Sequence, residues 1–444
     1  MTRTTLHGWG RTAPSAATLR TVRDEAEVRA QFEHEPALIA RGLGRSYGDA
    51  AQLGGGVVLD NRGLGGIGEI DEHGVVRVGA GVSIDELLAM SIPRGWTVPV
   101  TPGTRQVTFG GAIAADVHGK NHHVDGSLAQ HVLDMRLVTP SGTFDVSREA
   151  RPELFWATMG AMGLTGVVTS LRVRLLAIET DQVLVDTERF NDLDAVMSAM
   201  EHGDDNYRYS VAWVDCMTRG RHLGRAILTR GDHANASDLE TASLEGPSPA
   251  RLGVGFDAPG GLLNSLSIKI FNELWFRSAP HHREREPQSL GAFFHPLDGV
   301  RDWNRLYGRA GFVQYQFCVP NAAADTVRAA VAHLAQSRVP SFLAVLKRFG
   351  AANPAPLSFP MPGWTLALDL PVGPESLPGV LDELDELVIA AHGRVYLAKD
   401  ARLEPEKLRA MYPRLEEFLE LKRTIDPDQR LTSDLARRLG LVEG

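Results

Sequence analysis

Two cysteines occur in 444 residues, Cys216 and Cys318. Neither has a second ligand-type residue at metal spacing, and one pair makes no disulfide framework. Both are expected to be buried thiols, the ordinary fate of free cysteine. No run approaches the roughly 18 apolar residues that a bilayer span needs. The stretch MTRTTLHGWGRTAPSAAT has no apolar core of the kind a signal peptide carries. A cytoplasmic protein is expected, with any membrane contact peripheral; membrane association or a periplasmic location stays open. Basic charge is also scarce: 46 Lys and Arg against 55 Asp and Glu give a net charge of −9. That argues against a general nucleic-acid binder, which is normally basic.

Glycine, by contrast, is in excess: 45 residues, above the usual ~7%, clustered within the first 170 positions. The stretch ARGLGRSYGD, Ala40 to Asp49, follows the apolar run PALIA. No Gly-Lys-Ser/Thr ends it, so it is not a Walker loop. A Rossmann fingerprint needs a third glycine where Tyr47 stands, and must open a helix. Here AAQLGGGVVLD follows, glycines leading into a strand. The order is strand, glycine loop, strand. TPGTRQVTFGGAIA (101–114), HGKNHH (118–123) and MGAMGLTGVV (159–168) are three further glycine loops. Glycine lets backbone amides approach a ligand and form an anion-binding nest. Four such loops together point to one large, phosphate-bearing ligand.

The length suits two or three domains. Up to about residue 180, short β-like runs alternate with glycine turns: GVVLD (56–60), GVVRVGAGVS (74–83), VLDMRLVTPSG (132–142), LTGVVTSLRVRLL (164–176). SIDELLAMSI and RPELFWATMGAM read as short helices between them. Beyond 180, helical stretches (LDAVMSAMEH, TVRAAVAHLAQS) alternate with strands (YSVAWVDC, FVQYQFCVP, SFLAVLKRF, TLALDLPV). That pattern predicts a sheet covered on one side by helices. EGPSPARLGVGFDAPGGLLNS (245–265) is rich in turn residues and reads as a lid or a flexible loop. A helix pair closes the chain. The fold class is α+β.

Some single residues also stand out. His118 titrates near neutral pH and is a candidate acid or base. His122 and His123 do not make a metal site: adjacent strand residues face opposite ways, and no carboxylate is suitably spaced. Lys399, in YLAKD, follows a strand; it is either a solvated lysine or a placed cation. Gln314 and Gln316 alternate in QYQF and so share a strand face.

RGLGRSYGD, PGTRQVTFGGAIAADVHGKNHH and MGLTGVV together resemble the FAD-binding domain of the vanillyl-alcohol-oxidase-type flavoproteins (PCMH-type). HGWGRTAPS, GKNHH, LFWAT, GFVQYQF, PLSFP, PGW, YLAKD and MYPR carry the resemblance from end to end, toward the decaprenylphosphoryl-β-D-ribose 2′-oxidases of that family. The resemblance implies a FAD-binding domain of residues 1–180 plus 394–444 and an inserted substrate domain of 181–393. It implies FAD contacts at Ala40, Arg41, Gly42, Leu43, Gly44, Arg45, Ser46, Tyr47, Gly48, Asp49 and Ala50. Gly103, Thr108, Phe109, Gly110 and Gly111 follow in the second loop. Ala115, Asp116, Val117, His118, Val167 and Tyr396 complete the set. Many relatives carry a flavin-linked histidine where Arg45 stands, so the FAD is expected to be non-covalent.

By the same resemblance, Lys399, His118 and Tyr47 lie at the reacting centre, and Trp213, Gln314, Gln316, Lys347, Thr365, Ala367 and Lys399 contact the substrate. Lys347 would hold the lipid phosphate. Lys399 would either favour an anionic reduced flavin or, if desolvated, accept a proton. The implied reaction oxidises the 2′-hydroxyl of a lipid-phosphoryl ribofuranose to a ketone. A NADH- or NADPH-dependent keto-reductase would complete the epimerisation toward a cell-wall arabinose donor, and a quinone-like molecule would accept the electrons. Three departures stand out. Ala367 replaces a flavin-facing cysteine that traps nitroaromatic inhibitors, Thr365 replaces an asparagine, and Leu397 replaces a threonine. An alditol or aldonolactone oxidase of the same fold, or a non-catalytic flavin-binding partner protein, are the alternatives.

Overall fold

The computed structural model describes residues 2–259, 261–341 and 343–442. Gly260, in the expected loop, and Phe342, at the start of SFLAVLKRF, lie outside the described residues. The architecture is α+β. Three sheets carry it. The first runs Thr2–Leu6, Ser15–Thr21, Val57–Asp60, Leu38–Arg41 in spatial order. Its last two pairings are parallel, so the chain leaves Leu38–Arg41 through the ARGLGRSYGD loop and returns in Val57–Asp60. This is the expected strand–loop–strand. The second sheet is antiparallel: Val75–Gly79, Val167–Arg174, Val132–Thr139, Gly142–Ser147.

The third sheet has eight strands between His282–Ser289 at one edge and Arg394–Val395 at the other. Its central strands Ala344–Phe349, Gly363–Pro371 and Phe312–Pro320 are antiparallel neighbours. Period-two alternation divides them into two faces. Tyr315, Phe317, Leu346, Leu366, Leu368 and Leu370 are buried. Tyr315 reaches helix Leu377–Ala390 through a hydrogen bond from its hydroxyl to Asp385 at 2.9 Å. Helix Asp325–Ser337 packs on the same side. The opposite parity, Gln314, Gln316, Val345, Lys347 and Ala367, faces a cavity. One covered face and one polar face are what the sequence pattern predicts.

Local signals explain the helix starts. Ser83 accepts from the Glu86 N–H at 3.1 Å, and the Glu86 carboxylate returns to the Ser83 N–H at 2.7 Å. This capping box begins helix Ile84–Ser91 where SIDELLAMSI places it.

The termini fasten the glycine loop from two sides. The Trp9 and Gly10 N–H groups donate to the Ser46 and Tyr47 carbonyls at 2.8 and 3.0 Å. Tyr47 N–H donates to the Ala398 carbonyl at 2.9 Å. Arg438 grips Asp49 with two bonds of 2.7 and 2.9 Å. Gly48 is the point of closest approach: a Cβ there would stand 1.9 Å from the Asp400 carbonyl oxygen. Gly48→Ala therefore prises the loop from the 398–401 segment. The expected cost is about 1–3 kcal/mol of stability, read as a lower denaturation midpoint. An unchanged midpoint would remove this contact from the account.

Candidate active site

The glycine loop, the 101–120 segment and the polar sheet face enclose one cavity of about 620 Å³, within the range of cofactor and substrate sites. On the loop side, the backbone N–H groups of Gly42, Leu43, Gly44, Arg45 and Ser46 make no hydrogen bond among the described residues. Gly44 has a left-handed φ of +64° that turns the loop over. Arg41 braces it from behind, donating to the Ala51 and His7 carbonyls at 2.9 and 2.8 Å. Gly42 lies so close to Thr108 that a Cβ would meet its Oγ1 at 2.1 Å. The Arg45 guanidinium stacks 3.9 Å over Trp9, and its buried Nε has no partner. A row of free amides beside an unpaired arginine nitrogen suits a pyrophosphate. These residues fit FAD.

The lining as a whole is cationic. Among the described residues, Arg41, Arg45, Lys120, Lys347 and Lys399 line the cavity, and no Asp or Glu does. Lys399 Nζ sits 3.9 Å over the Tyr47 ring. Burial pushes its pKa down to about 7, with nearby Asp369 opposing and Lys347 adding to the fall. Burial takes Lys347 to about 8 and Lys120 to about 7. Lys120 donates to the Phe293 carbonyl at 2.5 Å. Asp369 lies behind the lining, where burial raises it to about 6, and Gln314 donates to it. His118 is held neutral, its pKa driven well below the usual histidine value by burial and then by Lys347. Its Nε2 and Nδ1 lie 3.1 Å from Gln316 Nε2 and 3.3 Å from Lys347 Nζ. Tyr396 donates its hydroxyl to the Ala115 carbonyl at 2.8 Å and stacks on Phe359. That contact ties the end of the third sheet to the 110–118 segment.

The cavity gathers most of the sequence-derived residues: Ala40 to Tyr47, Ala50, Gly103, Thr108, Gly110, Gly111, Ala115, Val117, His118, Trp213, Gln314, Gln316, Lys347, Ala367, Tyr396 and Lys399. Six stand off its wall. Gly48 meets the Asp400 backbone and Asp49 holds Arg438. Phe109 and Val167 are wholly buried in apolar clusters. Asp116 accepts from Ser358 and Asn353, both at 2.6 Å, and so ties two loops. Thr365 lies beneath Gln316. His122 and His123 sit in a short helix, His122–Asp125, not on a strand as expected, because Gly126 (φ +69°) turns the chain there. His122 accepts from the Gly350 N–H at 3.2 Å, and His123 bonds the Tyr207 carbonyl at 2.9 Å. Among the described residues no three metal-ligating side chains cluster. Sequence reasoning missed Asp369, which continues the Thr365, Ala367 alternation in GWTLALDLP. It also missed Phe271 and Trp275, which reach the cavity mouth from helix Ser265–Ser278.

The depressed lysines make a stability prediction. A lysine at about 7 when folded and ~10.4 when unfolded destabilises the fold fully below pH 7. The penalty fades as pH rises between those values, because the unfolded chain then binds more protons. Lys399→Met should therefore raise the urea midpoint at pH 6, by on the order of 1–3 kcal/mol. The advantage should shrink by pH 9. A pH-independent difference would show that Lys399 is not desolvated.

Known proteins resemble the chain along most of its length. A FAD-binding-domain family model matches residues 17–146, and a D-arabinono-1,4-lactone oxidase model matches residues 380–439. The decaprenylphosphoryl-β-D-ribose oxidase of Mycolicibacterium smegmatis is 43% identical over 98% of this chain and 97% of its own. A Streptomyces coelicolor protein from the mprA 5′ region is 40% identical over 81% of this chain and 100% of its own. The alditol oxidase of a Streptomyces species is 26% identical over 90% of each. By the first of these, the chain belongs to the decaprenylphosphoryl-β-D-ribose oxidase family.

Proposed function

We propose that the protein is a FAD-dependent oxidase that converts the 2′-hydroxyl of decaprenylphosphoryl-β-D-ribofuranose to the ketone. This is the first half of an epimerisation to an arabinose donor for cell-wall arabinan. The observation that carries the reading is the cavity lining, where, among the described residues, five cationic side chains and free loop amides meet no acidic residue. Such a lining suits two anions at once, a dinucleotide pyrophosphate and a phosphoryl substrate. Bound FAD supplies the hydride acceptor. Residues 1–180 with 394–444 form its domain in this reading, and 181–393 form the substrate domain. Without a histidine at position 45, FAD is held non-covalently.

The chain's own residues orient the sugar. Gln314 and Gln316 offer amides to hydroxyls, Lys347 takes the phosphate as a point charge, and Trp213 lends an apolar wall. Tyr47 and Lys399 stand together on the loop side. Ala367 leaves room where relatives of the resembled type carry cysteine. A quinone-like acceptor and a NADH- or NADPH-dependent reductase complete the cycle in this proposal.

The lipid needs an apolar approach. Eight of the eleven exposed large apolar side chains among the described residues fall between Leu252 and Trp275. Leu266, Ile270 and Leu274 form an i, i+4, i+8 stripe on the outer side of helix Ser265–Ser278. Asp257 anchors the preceding loop by ion pairs to Arg11 and Arg305 at 2.7 and 3.0 Å. The stripe adjoins Phe271 and Trp275 at the cavity mouth, so we assign this side to the lipid chain and to peripheral membrane contact.

The test is a visible spectrum of the yellow protein under anaerobic conditions. A farnesylphosphoryl-ribofuranose should bleach the flavin, and a stripe variant (Leu266→Gln, Ile270→Gln, Leu274→Gln) should lose about 10-fold or more in kcat/KM with the long lipid. A short-chain analogue should lose little. Equal losses would remove the lipid assignment. Bleaching by xylitol or an aldonolactone, with rapid peroxide formation, would favour the alditol-oxidase reading suggested by the 26% relative. Full flavin occupancy with no bleaching by any of these would mark a non-catalytic flavoprotein.

A further inference from the structure

Asp369 sits behind the cavity wall, directly across from Gln314 in the antiparallel pairing of Gly363–Pro371 with Phe312–Pro320. Both side chains are buried. Gln314 Nε2 donates to Asp369 Oδ1, and the Tyr307 hydroxyl donates to Oδ2 at 3.4 Å. Burial raises the carboxyl to about 6, so at pH 8 it is an anion. A carboxylate only accepts, so the amide must turn its NH2 end to it. Hydrogen-bond networks assign amide ends in this way. The carbonyl end is left to the cavity that Gln314 lines, where packing does not seal it. The Tyr47 phenol also approaches this amide, but a carbonyl oxygen has two lone pairs and one neighbour cannot saturate it.

The orientation matters because of what surrounds it. Arg41, Arg45, Lys120, Lys347 and Lys399 line the same cavity, and in their charged forms they donate and cannot accept. The Gln314 oxygen is an acceptor set among donors, and their positive field favours that end of the amide. An asparagine in place of the carboxylate would fix less, because it has both an NH2 and an oxygen to offer. Burying an anion is costly, and here the anion secures one orientation. A ligand anchored by its phosphate on the cations then needs a hydroxyl to meet the oxygen. A ribofuranose that carries a phosphoryl group on its anomeric oxygen has hydroxyls at C2, C3 and C5. The C2 hydroxyl loses its hydrogen on oxidation, and the ketone oxygen that remains can only accept. Facing Gln314, it would oppose a second acceptor. The hydroxyl that suits Gln314 is therefore one that keeps its hydrogen.

We propose that Asp369 is a specificity-determining positioning residue: it holds the Gln314 amide with its oxygen toward the cavity, so that the site selects sugars with a hydroxyl donor at C3 or C5 besides the hydroxyl that is oxidised. This rests on the oxidase reading above. Asp369 is not on the cavity wall and acts through Gln314. When the donor is missing, the Gln314 oxygen stays buried against the ligand with nothing to accept, the expensive case for a hydrogen-bonding group. A site free to turn its amide round would accommodate the loss. Here both residues stand on paired strands in fixed register, and the carboxylate bars the turn.

The test reads binding and needs no turnover. Farnesylphosphoryl-2-deoxyribofuranose has no C2 hydroxyl to oxidise. Its dissociation constant on the holoprotein at pH 8, measured by calorimetry, is compared with those of the 2,3-dideoxy and 2,5-dideoxy analogues. One of the two analogues should bind about 10-fold or more weakly than the 2-deoxy ligand. In Asp369→Asn the difference should shrink to about 3-fold or less, because the amide is then free to present either end. Asp369→Ser, whose hydroxyl both donates and accepts, takes its place where Asp369→Asn does not fold. Gln314→Leu, with no acceptor, should lose the discrimination as well. Two analogues that bind as tightly as the 2-deoxy ligand overturn the assignment. So does a difference that survives in the folded Asp369 variant, since a merely structural Asp369 would weaken all three ligands alike and leave their ratio unmoved. A protein that discriminates in this way, but whose flavin farnesylphosphoryl-ribofuranose never bleaches, would instead sink the oxidase reading and leave the Asp369 assignment standing.

Discussion

Everything in the site depends on keeping several cations in a poorly solvated cavity that no carboxylate of the described residues lines. Arg41, Arg45, Lys120, Lys347 and Lys399 all contribute to that wall. Burying unpaired charge is costly, and the fold answers in three ways. Lys120 spends its charge on the Phe293 carbonyl and ring. Lys399 lies on the Tyr47 face, an arrangement an aromatic quadrupole favours. The lysine pKa values fall toward neutrality, so part of the charge is given up. What remains is a site that gains most when anions enter it. A ligand with a pyrophosphate and a second with a phosphoryl group meet that demand.

The scaffold around this cavity is rigid where chemistry requires it. Gln314, Gln316, Lys347 and Ala367 stand on central strands whose other face is filled by Phe317, Leu346, Leu366 and Leu368. Their positions are fixed by cross-strand register, with no loop to wander. The opposite wall is a loop, yet it is held at Trp9, Ala398 and Arg438, three points far apart in sequence. The two walls meet through the 394–400 segment, whose Ala398 carbonyl accepts from the Tyr47 N–H and whose Tyr396 N–H donates to the Gln316 carbonyl, both at 2.9 Å. Loop and sheet therefore cannot shift independently without breaking one of these bonds.

Much of this was legible in the residues. The glycine loop between two strands, the shared face of Gln314 and Gln316, and the helix-covered sheet all follow from local pattern. Asp369 was also within reach, at i+4 from Thr365 on the same strand face. Other features were not legible. The Thr365–Gln316–His118 chain depends on which residues of three distant segments come into register, and no local rule gives that. The outward apolar stripe of helix Ser265–Ser278 inverts the usual pattern, because its inner side holds Asn272, which hydrogen-bonds Asp215 at 2.8 Å. Gly48 and Asp49 were read as FAD contacts from the family resemblance. Their neighbours, Asp400 and Arg438, are about 350 and 390 residues away.

The cavity is built for anions first and for a flavin ring second. The most direct measurement compares the affinity of the acid-stripped protein for FAD and for riboflavin, which lacks the pyrophosphate. FAD should bind at least about 100-fold more tightly, roughly 2.7 kcal/mol, with the advantage shrinking as salt rises. Equal affinities, or an advantage indifferent to salt, would contradict it.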